Sequence, residues 1–414
     1  MAGLASAREL RREGHDVTVL EQNADVGGQW LYDPRGGGAD DPLGAAEPVK
    51  VHSSLYASLR VISARENMGF TDFHFAPKAG RDGRRFPGHG EVQLYLKDFC
   101  DAFGLMEAVR LNTRVLRVAM AVAPTRQWMV RSVHEGTEEE EEEVFDAVVV
   151  ANGHYSQPRL PSIQGMEAWR GRQIHSHSYR VPEPFRGDVV VVVGCGASGK
   201  DIAMEVRGVA KEVHLVAKSM EEVTPGLAKV LAKHSANLHL QLHVERLCED
   251  GRVVFGGGGS GVLADTIIYC TGYNYSFPFL DTAGAVTVED NRVGPLFEHV
   301  FPPSLAPSLS FVGIPIKVFA PWFFEAQAKW VAQYMDEFGS KYCDFPRVER
   351  WHHELVVSLF ANMNDNLETF RDDYHDSDSI RKGVEEWHLS AQQTQGLRDV
   401  FPPFLKQNVS QTVE

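Results

Sequence analysis

The sequence predicts an α/β fold of two nested Rossmann-like units, one inserted into the other. Three observations carry that expectation. A Gly-x-Gly-x-x-Gly turn stands between an apolar run and a helical stretch within residues 191–218. A second copy of the pattern, without its front half, opens the chain. Two apolar strands, each ending in a small residue and a glycine, recur further on in matched register.

The fuller copy reads VVVGCGASGKDIAMEVRGVAKEVHLVAK. Gly194, Gly196 and Gly199 permit a tight turn and let the backbone approach a pyrophosphate at a helix N-terminus, with Ala197 and Ser198 in the same loop. At the N-terminus, AGLASARELRREGHDVTVLEQ aligns with it at a shift of 196, so that Gly3 meets Gly199, Val17 meets Val213 and Glu21 meets Ala217. Leu4, Ala7 and Leu10 share one helix face that stops near Gly14. The first strand and first two glycines of this copy are absent, so the expectation is an N-terminally truncated reading of a longer gene product. The copies differ where ligand choice is decided. Glu21 offers a carboxylate to both ribose hydroxyls, which suits FAD or NAD. Ala217 followed by Lys218 replaces the acid with a cation, which suits the 2′-phosphate of NADP.

The strand pair is DAVVVANG (146–153) and DTIIYCTG (265–272), in register at a shift of 119. Each closes one nucleotide unit, with the glycine where the chain passes the cofactor. The predicted layout is a discontinuous FAD-binding domain, 1–164 and 281–414, holding an NADP-binding domain, 165–280. Val92, Leu96, Phe99 and Phe103 with Gly104 as a stop predict a core-facing helix. The loop from Asp33 to Pro48 reads as a surface excursion. Glu138 to Glu143 read as a solvated loop at a hairpin tip. Pro321 to Tyr334 predict a largely buried helix, and the tail beyond about 345 a helical cap on the FAD domain.

Composition bounds the chemistry. A formal net charge of −15 argues against nucleic acid and anionic membranes, which need clustered cations. Cys100, Cys195, Cys248, Cys270 and Cys343 form no C-x-x-C pair, so neither a disulfide framework nor a metal site is expected. There is no membrane-length apolar run and no signal peptide, and the C-terminus QNVSQTVE is polar, so a cytoplasmic location is expected. No metal-ligand spacing or nucleophile elbow is present.

Further motifs carry a family resemblance. Gly27-Gly28-Gln29-Trp30 resembles a G-G-x-W flavin segment. WRGRQIHSHSYR (169–180) matches the fingerprint F-x-G-x-x-x-H-x-x-x-Y/F through Gly171, His175 and Tyr179, with Trp169 in place of Phe. Cys270-Thr271-Gly272-Tyr273 resembles A-T-G-Y, and SLSFVGIP (308–315) with Phe324-Glu325-Ala326-Gln327 resembles a C-terminal flavin-domain return. Over nearly its whole length the chain resembles the flavin-containing monooxygenases. The segments GGQWLYDP, KVHSSLYASLR, MGFTDFHF and FPGHGEVQLYLKDF are most similar to the plant branch that includes S-oxygenases of methylthioalkyl glucosinolates.

The resemblance implies two cofactors, FAD and NADPH. NADPH reduces the flavin, oxygen adds at its C4a carbon, and the hydroperoxide oxygenates a small thioether or amine. Oxygen and a small molecule are then the partners. The implied FAD-binding residues are Gly3, Leu4, Glu21, Gly28, Gln29, Trp30, Val115, Gly272 and Gln327. The implied NADP-binding residues are Gly194, Gly196, Ala197, Ser198, Gly199, Lys218 and Tyr273. His175 is expected to be structural or interdomain, and Tyr179 fits heteroatom oxygenation better than Baeyer–Villiger chemistry. No catalytic side chain is assigned. The family's Arg-Thr-Asn-x-Pro-Arg stretch reads Arg60-Val61-Ile62-Ser63-Ala64-Arg65 here, so Ile62 stands at the flavin-proximal Asn and donates no hydrogen bond. The alternatives are an NADPH oxidase releasing peroxide and a non-catalytic NADP-binding remnant. A disulfide reductase is disfavoured by the missing cysteine pair.

Overall fold

Leu4, Ala7 and Leu10 line the buried face of helix α1 (Ala2–Arg12) in the computed structural model. The structure describes residues 1–36, 40–121, 127–137, 139–257, 261–335 and 349–400, the side chains of 334–335 and 393–400 excepted. The chain turns after α1 at Gly14, φ 87°, where a Cβ would be strained, and enters β1 (Val19–Leu20). Helix α2 (His89–Phe103) buries Val92, Leu96 and Phe99 completely and ends on Gly104 in the left-handed region, φ 62°.

Strands β2 (Val109–Arg110), β3 (Thr113–Met120), β4 (Trp128–His134) and β5 (Glu140–Phe145) come next. The glutamate run is therefore not a loop, since Glu140–Glu143 belong to β5 and pair with Val133–Val130 of β4. The physical reason is position. β5 is the outer strand of a four-stranded sheet, so its carboxylates stay solvated while the backbone pairs. Glu140 lies 3.2 Å from Arg131 and Glu143 lies 2.5 Å from Arg110. Charge on an edge strand also discourages further pairing. Glu138 lies outside the described residues.

Two short strands, β6 (Val148–Val150) and β7 (Gln157–Pro158), lead into β8 (Arg172–His175), β9 (Val189–Val193), α3 (Ala197–Val206), β10 (Glu212–Ala217), α4 (Pro225–Lys233) and β11 (Leu238–Leu242). A small antiparallel sheet of β12 (Val244–Leu247), β13 (Arg252–Phe255) and β14 (Val262–Leu263) precedes β15 (Thr266–Tyr269) and β16 (Tyr273–Asn274). A five-stranded parallel sheet forms in the order β11-β10-β9-β15-β8. Its central strand is five consecutive valines, of which Val190–Val192 are fully buried, as a parallel strand covered on both faces requires. The chain enters and leaves this sheet at one place. β7 runs antiparallel to β16, Gln157 opposite Asn274 and Pro158 opposite Tyr273.

The remaining strands return to the first half. β17 (Leu280–Asp281) joins β3, β18 (Thr287–Glu289) and β19 (Arg292–Gly294) form a hairpin, and β20 (Leu309–Phe311) pairs in parallel with β6. Helix α5 (Ala320–Met335) packs on α1. The last helices, α6 (Arg350–Asp365) and α7 (Asp378–Val400), do more than cap the half formed by the two ends of the chain. Trp387 of α7 meets His74, and Phe370 meets Phe86. On the other side α6 packs on α4, and Glu368 pairs with Lys233 at 2.7 Å. The tail bridges both halves because its apolar and acidic residues find partners on each. No described helix is long and apolar enough to cross a membrane. Cys100, Cys195, Cys248 and Cys270 are free thiols, while Cys343 and the C-terminal QNVSQTVE lie outside the described residues.

Candidate functional site

The turn between β9 and α3 assigns a different task to each glycine. A Cβ on Gly194, whose φ is 114°, would lie 2.4 Å from the Cys270 carbonyl oxygen. One on Gly199 would lie 1.9 Å from the Gly194 carbonyl oxygen. Both are excluded by the packing of the turn against β15 and of the helix against the turn. Gly196 is different, for nothing lies within 4 Å of its Cβ position. With Ala197 and Ser198 it is exposed, and α3 starts without a side-chain cap. The first amides of α3 thus have no intrahelical acceptor and face outward at the positive end of the helix dipole. Such a turn suits an anion such as a pyrophosphate. Lys218 is exposed just past the end of β10.

The fingerprint residues lie at the junction of the two halves. Gly171 is required by Trp169, whose ring would sit 2.1 Å from a Cβ there. His175 is fully buried, and its Nδ1 accepts a hydrogen bond from the His177 amide at 3.1 Å. The proton of the neutral ring therefore belongs on Nε2. Burial, with His177 adding to it, pushes His175 down to about 3, so the ring is uncharged at neutral pH. Its amide donates to the Pro42 carbonyl, and its ring meets that of Tyr273 edge-on at 5.3 Å. Tyr179 donates to Glu205 of α3 at 2.8 Å. Beside it Tyr56 donates to Asp201, also of α3, at 3.0 Å. These residues hold the inserted sheet against residues 42–56. Tyr273 is in this seam rather than at the glycine turn.

Gly3, Leu4, Glu21, Gly28 and Val115 line a single cavity of about 900 Å³. The Glu21 carboxylate ends β1 and accepts from the Asn23 amide at 2.8 Å. Gly27 and Gly28 have φ of 146° and 55°, and open a short turn through Gln29 and Trp30. Trp30 packs on the main core and the Gln29 carbonyl accepts from Ser53, so both stand back from the cavity. Gln327 accepts from the Gly313 amide at 3.0 Å, and its buried Nε2 has no partner. Gly313 brings this pair to the start of α1, its Cβ position being 3.6 Å from that of Ala2. Gly272, φ 84°, instead receives the Arg159 amide at the β7–β16 crossing. A carboxylate at a strand end, bare glycine backbone and an orphaned amide donor suit a dinucleotide.

Among the described residues, β1 pairs only with β2 and β6 only with β20, and the cavity lies between them. At the shifts of 196 and 119, β1 corresponds to β10 and β6 to β15. In the inserted sheet β9 runs between those two.

Ile62 is 37% exposed, and neighbouring backbone is held by the Val61 amide on the Pro87 carbonyl. It supplies no polar group. His52, within the KVHSSLYASLR segment, was not singled out as a site residue in the sequence. It lies half-buried on the same cavity, its Nε2 4.0 Å from a Cβ position on Gly153, and desolvation lowers its pKa despite the Glu21 charge. Glu222 was missed as well. Its carboxylate accepts from the Lys218 amide at 2.8 Å, at the strand end where the sequence shows no acid.

The flavin-binding monooxygenase-like family model matches residues 1–230 and 235–346. The Arabidopsis thaliana flavin-containing monooxygenase FMO GS-OX-like 8 is 51% identical, across 93% of this chain and 93% of its own length. The structure of S-allyl-L-cysteine S-oxygenase from Allium sativum superposes with a TM-score of 0.82 and 39% identity, covering 97% of both chains. A flavin-containing monooxygenase from Stenotrophomonas maltophilia, 21% identical over 80% of this chain and 96% of its own, shares the fold with a TM-score of 0.62.

Proposed function

Because the chain belongs to the flavin-binding monooxygenase-like family, we propose that it uses FAD and NADPH to transfer one atom of O2 to a small soft nucleophile, a thioether before an amine. The observation that carries this reading is the division of roles at the glycine turn, where two glycines are demanded by packing and only Gly196 is free for a ligand. In this reading residues 165–280 hold NADPH at Gly194, Gly196, Ala197, Ser198, Gly199 and Lys218. Residues 1–164 and 281–414 hold FAD around Gly3, Leu4, Glu21, Gly28 and Val115, a reading supported by the Glu21 carboxylate just past β1 and by the buried Gln327 amide that has no partner. The bound flavin supplies the reduction by NADPH and the activation of oxygen. The protein's part is to orient, to hold neutral imidazoles at the junction, and to exclude water. The thioether preference is supported by the Allium sativum S-oxygenase and the GS-OX-like relative.

Ile62 favours a second reading, in which much of the NADPH is spent on hydrogen peroxide. An apolar side chain cannot hydrogen-bond an oxygenated cofactor. One experiment separates the two. NADPH consumption, sulfoxide and peroxide are measured together with S-allyl-L-cysteine and a methylthioalkyl substrate, for the wild type and Ile62→Asn. The expected outcome is sulfoxide from both proteins, with several-fold less peroxide per sulfoxide in the variant. Peroxide matching all NADPH consumed, with no sulfoxide from any thioether, would overturn the monooxygenase reading in favour of an oxidase.

A further inference from the structure

The end of β10 carries a carboxylate that the linear sequence hides. Ala217 closes the strand, and Lys218 follows where a 2′-phosphate would dock. The chain then folds back through a short turn at Met220–Glu222, the Glu222 amide donating to the Ser219 carbonyl. This return brings the Glu222 carboxylate onto the Lys218 backbone amide at 2.8 Å. The arrangement parallels the other unit, where the Glu21 carboxylate accepts the Asn23 amide just beyond the end of β1. In both units, then, an acid is hydrogen-bonded to backbone immediately past the strand that follows the nucleotide helix. Glu222 also lies close enough to the glycine turn for its charge, with that of Lys200, to act on the Cys195 thiol. The Lys218 ammonium has no ion-pair partner among the described residues.

We propose that Glu222 sets the choice between NADH and NADPH, accepting the adenosine ribose hydroxyls of NADH in its observed position and having to leave the Lys218 amide when the 2′-phosphate of NADPH docks. The inference rests on the reading of residues 194–218 as the nicotinamide dinucleotide site. Its physical basis is charge. A ribose edge donates hydrogen bonds to a carboxylate, whereas a phosphate dianion is repelled by one and attracted by the Lys218 ammonium. The two side chains at one strand end therefore pull in opposite directions. Lys218 favours the phosphorylated cofactor and Glu222 the unphosphorylated one, so Glu222 narrows the preference for NADPH that Lys218 confers.

Calorimetric titration of the full chain with 2′,5′-ADP and with 5′-ADP tests this without turnover. Wild type, Glu222→Gln, Glu222→Ala and Lys218→Ala are compared. The expected result is that Glu222→Gln tightens 2′,5′-ADP about tenfold relative to 5′-ADP, a change of about 1.4 kcal/mol. Glu222→Ala should also weaken 5′-ADP severalfold, and Lys218→Ala should weaken 2′,5′-ADP alone. If both fragments bind and Lys218→Ala behaves as stated, but neither Glu222 variant changes their ratio, the role of Glu222 is overturned and the dinucleotide site stands. If neither fragment binds the wild type, both fail together.

Discussion

Gly196 and Gly199 are three residues apart and fail for opposite reasons. A methyl group on Gly199 would have to occupy the Gly194 carbonyl, 1.9 Å away, in a buried turn packed on β15. Backbone must move to admit it, a change that costs about 1–3 kcal/mol in a tightly packed site. Gly196 has open space beyond it, so Ala is accommodated in the free protein and intrudes only on a bound pyrophosphate. Gly199→Ala should therefore lower the thermal midpoint by several degrees, while Gly196→Ala leaves it in place and weakens 2′,5′-ADP at least tenfold. Melting curves and calorimetry on the two variants check both statements. Equal melting losses would show that Gly196 serves the turn and not a ligand.

The segment from β8 to Arg180 acts as a seam. His177 is buried, its Nε2 lies 2.8 Å from the Val51 carbonyl oxygen, and burial pushes it down to about 4. His175 is held lower still, at about 3. Both rings are neutral in the folded chain, whereas in the unfolded chain a histidine binds its proton near pH 6.5. As pH falls below 6.5 the unfolded state takes up protons first, so stability is complete above 6.5 and is lost towards 4. Each such histidine adds a slope of up to about 1.4 kcal/mol per pH unit in that window. His177→Gln keeps an amide donor for Val51 and removes the titration. Its denaturant-derived stability should fall less steeply between pH 6.5 and 4.5 than that of the wild type. Parallel profiles would rule out a neutral buried His177.

Across the whole molecule, α1 and α5, far apart in sequence, are tied by an ion cluster around a buried arginine. The Arg8 side chain, 1% exposed, reaches Glu9 at 2.7 Å, Asp72 at 2.6 Å and Glu325 at 3.1 Å. Its guanidinium lies over Phe99, 4.9 Å from the ring centroid. Glu325 is fully buried on α5 and also accepts from the Thr71 amide and hydroxyl at 2.9 and 2.8 Å. Removing one partner of such a cluster leaves a desolvated charge, and costs about 3–5 kcal/mol. Glu325→Ala should lose that much in denaturant unfolding, whereas a loss under about 1 kcal/mol would mean that the cluster relaxes into water. A second tie crosses the junction. Arg371 pairs with Asp201 of α3 at 2.7 Å, and Arg60 pairs with Asp372 at 2.7 Å, so residues 366–376 link both halves.

Much of this architecture was legible in the sequence wherever the cause is local. Glycines at 194, 196 and 199 between five valines and an amphipathic stretch describe β9, α3 and β10, because turn sterics and helical periodicity act over a few residues. The same holds for α1, and for α2 with its stop at Gly104. Tertiary structure alone decided the rest. Six glutamates become an edge strand only because β4 lies alongside. The segment between the two C-terminal helices bridges both halves only because Lys233, Asp201 and Arg60 await it from distant parts of the chain. Glu222, five residues past Ala217, reaches the end of β10 only once a turn has folded it back onto the Lys218 amide. Periodicity and steric demand are written in neighbouring residues, whereas pairing and electrostatics depend on which remote groups the fold brings together.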